Sequence, residues 1–218
     1  MRELVRAKRA SRSYRAGSTT VTALEDASFV VTEGAQIALA GPSGSGKTTM
    51  LHLAAGLDLP SDGSVTWPAL GQREKLRPGL VSMAFQGPSL IPQLTVAENV
   101  ALPLLFMGIS ESEALKQAEE FLGLLEAADI AGNLPEEISG GQSQRADLAR
   151  AMITGPALIL ADEPTGQQDS EGARRLMDTI LDFALEIGAA LLVATHDSAV
   201  ADLLETRWSI ADGHLRTE

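Results

Sequence analysis

An α/β fold around a buried parallel sheet, with a block of helices inserted into it, is predicted by three features of the sequence. The short apolar runs "QIALA" (Gln36–Ala40), "ALILA" (Ala157–Ala161) and "AALLVAT" (Ala189–Thr195) read as strands covered on both faces. Helical patterns alternate with these runs, as parallel strands require of their crossovers. From about Thr95 to Met152 the chain reads as almost wholly helical, which suggests a subdomain inserted between strands.

The elements follow in order. Arg2, Arg6, Lys8, Arg9, Arg12 and Arg15 crowd the N-terminus, and this stretch is expected to form a solvated edge strand rather than an anionic-surface contact. Val21–Val31 reads as a further strand, and "QIALA" comes next. A helix is predicted over Lys47–Ala55, ending at Gly56 as its C′ glycine. Ser64–Trp67 is a short strand. The helical block comprises "VAENVALPLLF", "ESEALKQAEEFLGLLEAA" and "GGQSQRADLARAM". After "ALILA", Glu171–Ile187 carries Leu176, Ile180, Leu181 and Ala184 at helical spacing and stops at Gly188.

Composition excludes several classes of function. With 218 residues, 44% hydrophobic and 21% charged, the chain is large enough for a sizeable core. It has no cysteine, so disulfides, thiol nucleophiles and cysteine metal sites are absent. A formal net charge of −12 argues against sequence-independent nucleic-acid binding, which needs a basic surface. No apolar run follows the basic N-terminus, so no secretory signal is expected. The longest uncharged stretch, Pro78–Ala97, is broken by Gln86, Gly87-Pro88, Pro92 and Gln93, and is not expected to span a membrane.

"GPSGSGKTT" fits the pattern G-x-x-x-x-G-K-[ST] and lies between a predicted strand and a predicted helix. It comprises Gly41, Pro42, Ser43, Gly44, Ser45, Gly46, Lys47, Thr48 and Thr49. Its glycines let the backbone curl so that N–H groups point at phosphate oxygens, and the helix start adds partial positive charge. Lys47 can reach the β- and γ-phosphates, and the Thr48 hydroxyl can ligate Mg²⁺. The chain is therefore expected to bind a nucleoside triphosphate.

"LILADEP" ends an apolar strand on Asp162, where a Walker-B aspartate holds the metal. Adjacent Glu163 either caps a turn or serves the attacking water. Neither Asn99 nor Asn133 begins the N-K-x-D motif by which GTPases read their base. A second glycine-rich helix start, "ISGGQSQR", comes about ninety residues after the first. Ser139 can cap this helix, and Gly140 and Gly141 let a phosphate approach the backbone closely. Capping alone accounts for the serine but not for the paired glycines.

Tyr14, "GPSGSGKTT", Gln86, "ISGGQSQR", "LILADEP", Asp169 and "THD", in this order and at these spacings, resemble the nucleotide-binding subunit of an ABC transporter. The resemblance covers nearly the whole chain. It implies a P-loop NTPase (RecA-like) core with an antiparallel β subdomain and an inserted α-helical signature subdomain. The core would occupy about 1–87 and 156–218, and the helical subdomain about 88–155. It also implies two subunits that sandwich two ATP molecules head to tail. Ser139, Gly140, Gly141 and Gln142 of one subunit would then act on ATP held by the other.

Carried over residue by residue, the resemblance makes Tyr14 the aromatic that stacks on adenine. Gln86 becomes the Q-loop glutamine, which contacts Mg²⁺ or water. Glu163 becomes the glutamate that polarises water, and His196 the switch histidine that contacts the γ-phosphate. Asp169 becomes the D-loop aspartate that couples the two sites, and Asp162 and Thr48 complete the Mg²⁺ set.

Three departures from the family pattern stand out. "GQQD" replaces the usual D-loop, Asp147 stands where a small or aliphatic residue is usual, and Trp67–Val81 is short. A trimmed β subdomain is expected from the last, and a pairing of Asp147 with Arg150 from the helical spacing.

"LHLAAGLDLPSDG", "TVAENVALPLLFMGIS" and "SIADGHLRTE" are most similar to the group that powers lipoprotein release and macrolide or haem export. That implies a separate integral-membrane permease, a place on the cytoplasmic face of the membrane, and export or extraction of cargo. The alternative is a regulatory ABC ATPase like the cell-division subunit, which transmits conformational change without moving cargo. DNA-repair ABC ATPases insert a long coiled coil between the two glycine-rich motifs, for which the spacing here leaves no room.

Overall fold

The computed structural model of the chain describes residues 1–217. It contains two sheets. Strands β1 (Glu3–Ala16), β2 (Thr19–Thr32) and β4 (Asp62–Thr66) form an antiparallel sheet in the order β2-β1-β4. Six strands form the second sheet in the order β5-β6-β7-β3-β8-β9. These are β3 (Gln36–Ala40), β5 (Val81–Ala84), β6 (Leu158–Asp162), β7 (Ala190–Thr195), β8 (Thr206–Ala211) and β9 (His214–Thr217). All its pairings are parallel except that of β8 with β9.

Side-chain alternation explains why the central strands read as continuous apolar runs. Leu158, Leu160, Leu192, Ala194, Ile37 and Leu39 pack on the face that meets β1, β2 and helix α1 (Lys47–Ala54). Ile159, Ala161, Leu191, Val193 and Ala38 pack on the opposite face. That face is covered by α2 (Val96–Phe106), α3 (Glu111–Leu124), α4 (Gly140–Met152) and α5 (Ser170–Ile187). A sheet buried on both sides has no solvent face to keep polar. A short sixth helix, α6 (Ser198–Ala201), follows β7.

The helices between β5 and β6 form as their sequences dictate. Thr95 caps α2, accepting from the Glu98 amide at 3.2 Å while the Glu98 carboxylate accepts from the Thr95 amide at 2.7 Å. Fully buried Asn99 ties the preceding segment to α2: it accepts from the Ile91 amide at 2.6 Å and donates to the Ile91, Leu94 and Thr95 carbonyls. Among the described residues, no helix is long and apolar enough to cross a membrane.

The N-terminal strand departs from expectation. Predicted as a solvated edge, β1 is instead the middle strand of its sheet, with β2 on one side and β4 on the other. Leu4, Val5, Ala7 and Ala10 face the core, and the intervening cations lie outside it. Four of the six basic residues face a carboxylate there: Arg2 with Glu33, Arg6 with Glu3, Arg9 with Asp26 and Arg12 with Asp58. The alanines carried the core face too weakly for the sequence pattern to show it.

Candidate functional site

The loop Gly41–Gly46 leaves the C-terminal end of β3, central in the larger sheet, and runs directly into α1. Gly46 sits at φ 111°, a conformation closed to residues with a side chain, and no side chain caps the helix it precedes. The first amides of α1 are therefore left for a ligand. Beside them lies a cavity of about 410 Å³. It is lined by Pro42, Ser43, Gly44 and Gly46–Thr49 of the loop, by Ala23 of β2, and by Gln86, Asp162, Glu163 and His196.

Lys47 is 6% exposed and lies across the floor of this site. Its ammonium donates to the Gly41 and Pro42 carbonyls at 2.8 and 3.1 Å and stands 3.5 Å from the Glu163 carboxylate. The Thr48 hydroxyl donates to Asp162 Oδ2 at 2.6 Å. Burial pushes the Asp162 carboxyl above its ordinary value; the Thr48 hydrogen bond pulls it down, and the neighbouring Glu163 charge pushes it up again.

Adjacent residues of a strand point to opposite faces, yet Asp162 and Glu163 both line the cavity. The backbone explains this: Glu163 has φ 51°, the left-handed region that side chains other than glycine seldom occupy. The turn is held by the Glu163 amide, which donates to the Ala194 carbonyl at 2.8 Å, and by Gln144, whose amide donates to the Glu163 carbonyl at 2.8 Å. Glu163 Oε1 lies 2.9 Å from His196 Nδ1, and Oε2 accepts from the Thr195 hydroxyl at 3.3 Å. The carboxylate thus touches β7 and the cavity together. Strain at one residue, held by bonds on both sides, is characteristic of functional sites.

The second glycine-rich helix start is elsewhere. None of Ser139, Gly140, Gly141 or Gln142 lines the cavity that holds Lys47. Ser139 caps α4 with Gln142 in a reciprocal pair, the Ser139 hydroxyl accepting at 3.3 Å and the Gln142 side chain accepting at 2.9 Å. The two glycines also have a use within the chain. A Cβ on Gly140 would stand 2.7 Å from the Gln167 amide oxygen, and one on Gly141 would stand 3.0 Å from the Gln167 carbonyl. The Gln168 amide donates to the Gly141 carbonyl at 2.9 Å. Asp169, in the same loop, caps α5 by accepting from the Gly172 amide at 2.7 Å.

Tyr14 is likewise outside the cavity lining. Its hydroxyl donates to Asp58 at 3.0 Å, and the Arg12 guanidinium lies 4.7 Å above its ring. Arg12 also donates to Asp58 at 2.8 Å. Burial pushes Asp58 up, but the Leu59 amide, Tyr14 and Arg12 together hold it below the usual carboxylate range.

The sequence profile of the ABC transporter family matches residues 24–166. The chain belongs to that family. It is an ATP-binding, ATP-hydrolysing subunit. Among curated relatives, the lipoprotein-releasing system ATP-binding protein LolD of Idiomarina loihiensis is 38% identical, over 99% of this chain and 97% of that protein. Its Legionella pneumophila counterpart is 36% identical over 94% and 93% of the two chains. Among solved structures, the dimeric ATP-binding cassette MJ0796 bound to ADP and Pi superposes with a TM-score of 0.91 at 34% identity, over 98% of both chains.

For this ABC ATPase the donors suit a hard cation. Asp162 Oδ1 is buried and has no hydrogen-bond partner among the described residues, and the Thr48 hydroxyl and Gln86 open on the same cavity. Among the described residues no cluster of three or more His, Cys, Asp or Glu could hold a metal alone. One carboxylate completed by substrate phosphates and water is the way Mg²⁺ is commonly bound. The Ser45 hydroxyl, buried in the loop, is also without a partner among the described residues.

Sequence reasoning missed Gln144 and Thr195, and it noted Gln167 and Gln168 only as part of the unusual "GQQD" without their contacts to Gly140 and Gly141. Each lies in or beside a recognised motif, but only the closed fold shows which group it touches. Asp147 does pair with Arg150, as the helical spacing anticipates.

Proposed function

We propose that the chain works as a head-to-tail pair, in which ATP held by Lys47 of one copy is covered by Ser139–Gln142 of the other. The observation that carries this reading is the separation of the two glycine-rich helix starts: the first lines the cavity that holds Lys47, and the second lines a different, open groove with Arg145, Gln168 and Arg175. A phosphate-ready helix start that stands apart from Lys47, Asp162 and Glu163 is accounted for by a site that two chains complete.

In this reading Lys47 exchanges its loop carbonyls for the β- and γ-phosphates, and the amides at the start of α1 hold their oxygens. Thr48, Asp162 and Gln86 would hold Mg²⁺, which neutralises charge developing on the phosphates. Glu163 accepts a proton from the attacking water. His196, which lies beside Glu163, contacts the γ-phosphate in this reading. Tyr14 stacks on adenine.

The pair would drive a separate membrane permease from the cytoplasmic face. The names of the curated relatives favour release of lipid-modified proteins as the work performed.

Mixing two inactive variants tests the pairing. Lys47→Ala cannot hold triphosphate, and Ser139→Arg cannot close over a partner's phosphate. Either alone forms homodimers in which every site lacks one half. A heterodimer has one site with both defects and one with neither, so hydrolysis returns on mixing. A covalently linked dimer with one intact site establishes that a single site suffices. A dead mixture beside an active linked control would show that the signature acts within its own chain.

A further inference from the structure

Asp147 is 4% exposed and takes no part in the chemistry described above. It lies on α4, and each of its oxygens reaches across to the segment that follows β5. Oδ2 accepts from the Phe85 amide at 2.6 Å, and Oδ1 accepts from the Ser89 hydroxyl at 2.5 Å and from the Arg150 guanidinium. Arg150 in turn donates to the Ser89 carbonyl at 2.9 Å and to its hydroxyl at 2.7 Å. An ion pair of buried Asp147 and half-buried Arg150 therefore grips both ends of the segment Phe85–Ser89. The residues between, Gln86, Gly87 and Pro88, are exposed and lie outside any helix or strand.

The grip has a geometric consequence for Gln86. A cavity of about 100 Å³ separates this segment from α4, with Gln86 on one wall and Asp147, Ser143 and Gln144 on the other. Gln86 also lines the phosphate cavity. With both ends fixed on α4, its side chain has room to reorient while its backbone stays at the cavity mouth. A buried ion pair is a poor way to gain stability, since apolar packing of the same volume does as well. Its better-attested use is to select one arrangement, and here that is the placement of the segment on the helix.

We propose that Asp147, with Arg150, is a positioning residue for Gln86, tying the Gln86 loop to the helix that begins with Ser139. The inference rests on the reading of Gln86 as a contact to Mg²⁺ or its water. Motion of α4 would be passed directly to the metal side of the cavity.

The test uses the full chain and two readouts. Hydrogen exchange of Phe85–Ile91, measured without nucleotide or metal, reports the grip itself. In Asp147→Ala these amides should exchange about tenfold faster or more, since charge-assisted bonds are lost. The free Mg²⁺ giving half-maximal hydrolysis reports positioning and should rise about tenfold, as when a residue supporting a metal ligand is removed. A merely structural role would lower the active fraction, hence the maximal rate, and leave that midpoint where it was. Ser89→Ala leaves α4 intact and should move both readouts the same way by less, which covers the case in which Asp147→Ala folds poorly.

Gln86→Ala is the reference. If it shifts the Mg²⁺ midpoint and neither clamp variant does, the positioning role is overturned and the metal role of Gln86 stands. If Gln86→Ala leaves the midpoint unmoved, the metal role falls and this inference with it. Unchanged exchange at Phe85–Ile91 in both clamp variants overturns the grip whatever the midpoint does.

Discussion

The two glycine-rich helix starts share a backbone device and differ in what surrounds it. Around α1 the chain supplies a cation, two carboxylates, a histidine and a hydroxyl on one cavity, with Lys47, Asp162 and Glu163 almost wholly buried. Around α4 the serine and first glycine are exposed, and the nearest groups are Gln167 and Gln168 of the same chain. The second start is capped by Ser139 and bonded to Gln168 of its own chain. A helix start by itself therefore says little; what differs is that α1 shares its cavity with the buried Lys47, Asp162 and Glu163, whereas the groove at α4 is lined by Arg145, Arg175, Glu126 and Asp129.

The largest expected effect tests the buried side. Glu163→Gln keeps the shape that contacts His196 and Thr195 but removes the base, so phosphate release should fall by about 10²–10⁴ while ATP binding persists. Near-normal turnover would mean that the cavity's chemistry has been assigned to the wrong carboxylate.

A smaller effect is expected at the exposed side. The new methyl of Gly140→Ala meets the end of the flexible Gln167 side chain, which can swing away, so stability should change by no more than about 0.5 kcal/mol. Hydrolysis should nevertheless drop by about 10–10²-fold, because a small misplacement of a phosphate against its donors is costly. Loss of stability with unchanged turnover per folded molecule would make the two starts alike, both serving only their own chain.

The smallest effect sharpens the contrast electrostatically. Asp162 has its pKa raised by folding, so the folded chain holds this proton more tightly than the unfolded chain does. Between the unfolded and folded values stability declines as pH rises, and above both the full penalty is present. Asp162→Asn should therefore raise the melting temperature at neutral pH in the absence of metal, with the gain shrinking toward about pH 4, where an unfolded aspartate protonates. A melting temperature that falls instead would mean that Thr48 and Lys47 compensate the buried charge fully.

Much of this was written locally in the chain. The apolar runs "QIALA", "ALILA" and "AALLVAT" fix buried strands because a strand covered on both faces needs no polar alternation. The phosphate loop is legible because its glycines and lysine work on their immediate neighbours, and Ser139 with Gln142 because a capping box spans a single turn. The rest depends on what folding brings together. That β1 is a middle strand follows from β4 pairing with it from about fifty residues away. That Asp162 and Glu163 share a cavity depends on a left-handed turn held by Gln144 and Ala194. Tyr14 is engaged by Asp58 and Phe85 by Asp147, partners 44 and 62 residues distant. Periodicity and motif spacing record which residues are buried and which are adjacent. Which distant donor meets which acceptor is settled only when both have left water and each must find a partner in the closed fold.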